Sequence, residues 1–248
     1  MIAVSNFLGQ GLYTPGEVAH YARERPNLVS RWLLGKSGAP VVQRQFVHDD
    51  RFVTFLDFVQ VLAIANIRRQ YAVPLQQIRD AVDEAREFHK MPYPLAMRHT
   101  TFLFRREEQG ASRKESDSEG DGKRFRKFEL LIRRPEESEL IQLTGKHRRN
   151  YVMKQVVELY LSDLSFDDAG LAVAYTAWRR NNLSIVMDPK RHFGEPFTPS
   201  GYSAITLAEA VRTEGSVEHA AKAYGVDCTE VELAVSYLDY LRITPPRE

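Results

Sequence analysis

The segment Tyr13-Thr14-Pro15-Gly16-Glu17-Val18-Ala19-His20-Tyr21-Ala22 constrains this chain more than any other. Thr14 is placed to cap a helix. Pro15 suits the first helical position, whose N–H has no partner, and Glu17 stands three residues after the cap, where its carboxylate can reach back. Val18, Ala19 and Ala22 then give an apolar stripe at helical spacing. A second short helix is expected after a tight connection. Asn27 is its expected cap, with Leu28, Trp32 and Leu33 turned inward and Ser30, Arg31 and Lys36 turned outward. Two short helices joined in this way read as a helix-turn-helix, and an outward Ser, Arg and Lys suits a DNA major groove.

The rest of the chain divides by pattern. Residues 40–50 carry two β-branched runs, expected as a hairpin or wing with Gln43 and Arg44 at its tip. Residues 54–70 hold Phe55, Phe58, Val59, Leu62, Ala63 and Ile67 at helical spacing. Pro74 opens another expected helix through Ile78, Ala81, Val82 and Ala85 to about His89. The run Met91-Pro92-Tyr93-Pro94 breaks the pattern and marks a boundary. Strands are expected over 95–104, 128–133 and 140–143, with a polar, mobile loop at 105–127 between the first two. An amphipathic helix is expected over 150–161, closed by Ser165-Phe166-Asp167-Asp168. A strand pair is expected at 171–178 and 183–187. Three helices at 206–214, 217–224 and 229–241 close the chain, with Thr206, Ser216 and Thr229 as expected caps. The fold class is therefore α+β, mainly α. The expected domains are a winged helix-turn-helix at 1–92, a strand-containing middle region at 93–182 and a C-terminal three-helix bundle at 183–248.

Charge is uneven although the formal net charge is only +1. Residues 1–97 carry 11 Lys and Arg against 9 Asp and Glu, 98–154 carry 15 against 10, and 155–248 carry 8 against 14. A mildly basic front and an acidic end suit a protein with a nucleic-acid end and a different partner at the other. The single cysteine, Cys228, excludes disulfides within the chain and points to a reducing compartment. No apolar run reaches the length of a membrane span, and no leader pattern stands at the N-terminus. A cytoplasmic protein with no membrane partner is expected.

Tyr13-Thr14-Pro15-Gly16-Glu17-Val18-Ala19, the Arg31-Trp32 pair, the wing, Thr54-Phe55-Leu56-Asp57 and Pro74-Leu75-Gln76-Gln77-Ile78-Arg79 together resemble the MerR-type winged helix-turn-helix. That type carries a Gly-Val-Ser turn where this chain has Arg23-Glu24-Arg25-Pro26-Asn27. A second set of motifs is similar to the small C-terminal helical domain of VapB-type antitoxins. It comprises Ile185-Val186-Met187-Asp188-Pro189, Phe193-Gly194-Glu195-Pro196-Phe197, Thr206-Leu207-Ala208-Glu209-Ala210, Glu214-Gly215-Ser216-Val217-Glu218, Tyr224-Gly225-Val226 and Glu230-Val231-Glu232-Leu233-Ala234. The combined resemblance implies an antitoxin of a type II toxin–antitoxin pair. Such a protein neutralises a PIN-like ribonuclease toxin and represses its own operon by binding operator DNA as a dimer, and forms a hetero-oligomer with the toxin.

The expected DNA contacts are Thr14, Asn27, Ser30, Arg31 and Lys36 from the helix pair and Gln43 and Arg44 from the wing. The acidic end is the expected toxin face, with Glu209, Glu214 and Glu218 as its charges and Phe193, Phe197 and Tyr202 as apolar anchors. Glu230 and Glu232 could add charge, and Tyr237 is expected in the core. No cofactor is expected. The group His48-Asp49-Asp50 has no second ligand cluster at useful spacing, and His147 lies among Lys146, Arg148 and Arg149, so no metal is expected. No nucleophile motif or Gly-rich phosphate loop is present, which makes an enzyme the weaker class. The alternative is a stand-alone MerR-like regulator that senses a small molecule, with Trp178 and Phe166 lining a pocket.

Overall fold

The computed structural model describes residues 9–35, 39–46, 50–71, 73–98 and 161–242, together with strands at 100–104, 128–133 and 140–142. The protein is α+β and mostly helical. Helix α1 (Pro15–Ala22) starts as the residues dictate. Thr14 Oγ1 accepts the Glu17 N–H at 3.2 Å, and the Glu17 carboxylate accepts the Thr14 N–H at 2.7 Å. Arg23 ends it in the left-handed conformation, at φ 54°. Helix α2 (Pro26–Leu34) begins one residue earlier than an Asn27 cap allows. The fixed φ of Pro26 makes it the first helical residue, so Arg25 takes the cap position without a side-chain bond and Asn27 sits inside the first turn. Val29, Trp32 and Leu33 form the buried face, while Leu28 is only half-buried.

Helix α3 (Phe55–Tyr71) is the centre of the molecule. Ten of its apolar residues between Phe55 and Ile67 are buried, as in a helix packed on all sides. Its start is a reciprocal cap: Asp57 accepts the Thr54 N–H at 2.9 Å, and Thr54 Oγ1 accepts the Asp57 N–H at 3.3 Å. Helix α4 (Leu75–His89) buries one face, through Ile78, Ala81, Val82 and Ala85, and ends at Lys90.

The stretch expected as a wing has no ladder among its described residues; 47–49 lie outside them. Instead it is a strap. The N–H groups of Val41 and Val42 both donate to Trp32 O, at 2.9 and 3.1 Å, and both side chains are buried. The backbone pairing in this region is a bridge between Tyr13 and Val53.

Pro94–Ala96 forms a 3-10 turn where the start of a strand was expected, because Leu95 and Ala96 are drawn fully into the core. Strands β1 (Thr100–Phe104), β2 (Phe128–Arg133) and β3 (Leu140–Gln142) form an antiparallel sheet in that order, with Thr100 opposite Ile132 and Phe104 opposite Phe128. The expected loop at 105–127 and all but the last residue of the helix expected over 150–161 lie outside the described residues; Leu161 begins a 3-10 turn. A second antiparallel sheet has the order β4 (Leu164–Phe166), β5 (Ala172–Arg180), β6 (Leu183–Met187). Its first strand occupies residues that the sequence pattern marks only as the close of the preceding helix. Asn181 and Asn182, both left-handed at φ 49° and 64°, make the two-residue turn that matches strand twist. The domain boundary expected at 182/183 falls in that turn, between paired strands.

Three helices follow: α5 (Ala204–Glu214), α6 (Val217–Tyr224) and α7 (Cys228–Arg242). Ser203, not Thr206, caps α5, and Thr229 lies inside α7 rather than capping it. Ser216 caps α6 as expected, by accepting the His219 N–H at 3.1 Å. Leu207, Ala210, Ala220, Ala221, Val231 and Ala234 make a small core where the three helices meet.

The main core crosses the expected division of the chain. It joins α1–α4 to Ile185 and Met187 of β6 and to Leu233, Tyr237 and Leu241 of α7. Phe58 is its hub, with ring centroids 5.6 Å from Tyr13 and 5.9 Å from Tyr175. Burial pushes the phenols of Tyr13, Tyr21, Tyr175 and Tyr237 well above their ordinary pKa. The Tyr13 hydroxyl donates to Gly194 O at 2.8 Å, across 181 residues of sequence.

Candidate functional site

The outer edge of α2 is the candidate nucleic-acid interface. Asn27, Ser30 and Arg31 are related by three or four residues and so share one helix face. Asn27 and Arg31 are exposed and Ser30 is half-buried; Lys36 lies outside the described residues. Gln43 is exposed on the strap beyond α2. Arg25, at the cap position, adds an exposed cation that the reading with Asn27 as cap passed over. With no acidic residue in the first turn of α2, the exposed end of this helix favours anions.

Two expected contacts are engaged in the fold. The Thr14 hydroxyl completes the cap of α1. Arg44 is only 7% exposed: Nη1 pairs with Asp50 at 2.6 Å and Nη2 donates to Phe52 O at 3.0 Å. A cation in a polar run reads as solvent-facing, but here it ties the strap to the start of α3. Gln45 N–H donates to Asp57 Oδ1 at 3.2 Å beside it. Burial raises the Asp57 pKa, against the pull of the bonds from Thr54 and Gln45 and of Arg44.

The joint between α1 and α2 is held from two directions. From α3, Arg69 Nη2 donates to Ala22 O at 2.9 Å and lies 3.3 Å from the Glu24 carboxylate. From the C-terminal part, the Tyr240 ring lies beneath the Arg23 guanidinium at 4.1 Å. Neither Arg23 nor Tyr240 was singled out from sequence. The one local sign is an arginine where a helix end usually places Gly or Asn.

The acidic end is less uniform than its composition. Glu209, Glu214 and Glu218 are exposed. Glu218 is held below the usual carboxylate range by its own backbone N–H and the Ser216 hydroxyl. Glu230 is buried and accepts the Ser200 N–H at 2.9 Å and the Ser200 hydroxyl at 2.7 Å, while Glu232 lies 3.4 Å from Arg180. Phe193 and Tyr202 stand out at 53% and 38% exposed. Phe197 does not: it is 4% exposed, packed under the Arg191 guanidinium and bridged to Val186 and Ser203. Tyr237 is buried, as expected. Phe193 is presented by a left-handed turn, with φ of 48°, 53° and 90° at His192, Phe193 and Gly194. Such backbone is costly outside glycine and persists where the surrounding fold holds it.

A shallow cleft of about 300 Å³ is lined by Gln43, Arg86, Lys90, Met91, Pro92 and Tyr93. Neither aromatic expected to line a pocket contributes to it: Trp178 is stacked on Tyr240, and Phe166 lies under Arg98. Among the described residues no group of three or more His, Cys, Asp and Glu could hold a metal ion, and no helix is long and apolar enough to cross a membrane.

Comparison with known proteins adds two similarities. A protein of Mycobacterium tuberculosis H37Rv named "Putative antitoxin VapB45" is 26% identical over 232 residues, spanning 87% of this chain and 88% of that protein. The crystal structure of Rv2018 from Mycobacterium tuberculosis is similar in fold, with a TM-score of 0.57 at 19% identity, over 90% of this chain and 96% of that one. No family model matches the chain.

Proposed function

We propose that this protein is the antitoxin of a type II toxin–antitoxin pair, a binding protein rather than an enzyme. It neutralises a PIN-like ribonuclease toxin and, as a dimer, represses its own operon. The observation that carries the reading is the 26% identity, along nearly the full length of both chains, to a protein named as an antitoxin. The MerR-like helix pair supplies the DNA half. Asn27, Ser30 and Arg31 enter the major groove, Arg25 and Gln43 contact the backbone, and two copies read two half-sites. The exposed Phe193 and Tyr202, with Glu209, Glu214 and Glu218, supply the toxin half.

The test is co-expression with the product of the adjacent small reading frame, followed by co-purification and titration onto the upstream DNA of the operon. A stable complex that silences ribonuclease activity is expected. Arg31→Ala is expected to weaken operator binding about fivefold to 150-fold, the worth of one base contact of about 1–3 kcal/mol. Failure to form any complex with the adjacent product defeats the antitoxin reading. Operator affinity untouched by Arg31→Ala defeats the assignment of α2 as the reading helix.

A further inference from the structure

We propose that Tyr240, at the C-terminal end of the fold, is a positioning residue for the DNA-reading helix α2 and acts through Arg23. The inference rests on the DNA half of the function proposed above. Only Arg23, Glu24 and Arg25 separate α1 from α2, and Pro26 fixes where α2 starts, so the conformation of Arg23 governs which way α2 points. Arg23 is left-handed, a conformation that side chains with a Cβ adopt at a cost. Glycine would adopt it freely, but glycine would give up the side chain. That side chain crosses to α7 and lies over Tyr240, 4.1 Å from the ring centroid, within the range of a cation–π contact.

The ring it meets is itself fixed. Tyr240 stacks on Trp178 of β5 with centroids 4.4 Å apart and an interplanar angle of 29°. Trp178 Nε1–H donates to Ser236 Oγ at 2.9 Å, and Ser236 lies one turn before Tyr240 on α7. The indole is thus held by the helix whose tyrosine it supports. Glu24, the next residue of the joint, is held by Arg69 of α3. The joint lies in a vice with one jaw on α3 and one on α7. A base-reading side chain must be placed to within a fraction of an ångström to bond a base edge, whereas non-specific attraction to phosphate tolerates displacement. A loosened jaw should therefore cost sequence discrimination and leave general DNA affinity intact.

The experiment uses the full chain and two duplexes of equal length, one from the operon's own upstream region and one of scrambled sequence, over a salt series. Tyr240→Ala is expected to lose at least tenfold in affinity for the upstream duplex. Its affinity for the scrambled duplex and the salt slopes should stay unchanged. Tyr240→Phe, which keeps the π face, should behave as wild type. Tyr240→Leu, which fills the site without a π face, repeats the test if the alanine variant melts early. An unchanged affinity ratio in Tyr240→Ala and Tyr240→Leu overturns the inference and leaves the DNA reading standing, as does an equal loss on both duplexes. A salt slope lowered by about one in Arg23→Gln also overturns it, because Arg23 would then be touching phosphate itself. A wild type that does not distinguish the duplexes defeats the DNA reading and this inference with it.

Discussion

Removing the hydroxyl of Tyr13 tests whether the two ends of the chain share one core. Tyr13 lies two residues before α1, is 2% exposed, and donates to Gly194 O at 2.8 Å. Tyr13→Phe keeps the ring against Phe58, so no cavity forms, and the loss is that of one buried hydrogen bond with its acceptor left unpaired. That costs about 1–3 kcal/mol. At roughly 2–4 °C per kcal/mol for a chain of this size, the melting midpoint should fall by about 2–12 °C. Gly194→Ala attacks the same contact from the other side. A Cβ there would lie 2.0 Å from the Tyr13 hydroxyl and 2.7 Å from Cζ, at a backbone φ of +90° that alanine resists. It should cost more than Tyr13→Phe. The double variant should cost less than the sum, since the phenylalanine removes the closest clash. Urea unfolding followed by circular dichroism and by the fluorescence of the two tryptophans is the assay. Trp32 lies in the N-terminal helices and Trp178 in the second sheet, so a shared core gives one coincident transition. A Tyr13→Phe midpoint equal to wild type, with strictly additive costs in the double variant, would show that these residues do not meet.

Three further outcomes are expected. Tyr13, Tyr21, Tyr175 and Tyr237 have phenol pKa values raised by burial, so the stability they contribute is complete below the unfolded value near pH 10 and is lost as pH climbs towards the folded values. Alkaline unfolding coincident with tyrosinate absorbance checks this; tyrosines that ionise freely near pH 10 in the folded protein contradict it. Arg44→Met should destabilise the fold by about 1–3 kcal/mol by leaving Phe52 O unpaired, since the exposed Asp50 regains water, yet leave non-specific DNA affinity unchanged at temperatures where it stays folded. Glu230→Ala should cost about 1–3 kcal/mol by stripping Ser200 of its acceptor, measured as a lower urea midpoint, while conservative Glu230→Gln restores part of it.

Local chemistry was legible in the sequence wherever one residue decides one feature. The Thr14–Glu17 cap, the Ser216 cap, and the helix ends at Gly215 and Gly225 all follow from residue type. Where two local signals compete, one overrides the other: Pro26 and Asn27 both mark a helix start, and proline's fixed φ prevails. Arg44 and Phe197 show a different limit. Nothing in the neighbouring residues says that a polar run folds back against α3, or that Phe197 pairs with β6 while Phe193, four residues earlier, is pushed outward. The joining of α1, α3, β5 and α7 through their aromatic rings is likewise a matter of long-range contact. The pattern of each of those elements marks what it can bury but does not name the partner.

The core that spans the chain also orders its manufacture. Helices α1–α4 leave the ribosome well before Ile185, Met187, Tyr237 and Leu241, which close their packing and follow much later in the chain. At about 5–20 residues per second, the wait is roughly 7–30 s. During that interval a nascent chain carries an incomplete head with greasy surfaces uncovered. A polysome therefore holds many such half-built heads, in need of chaperones until those late residues have emerged.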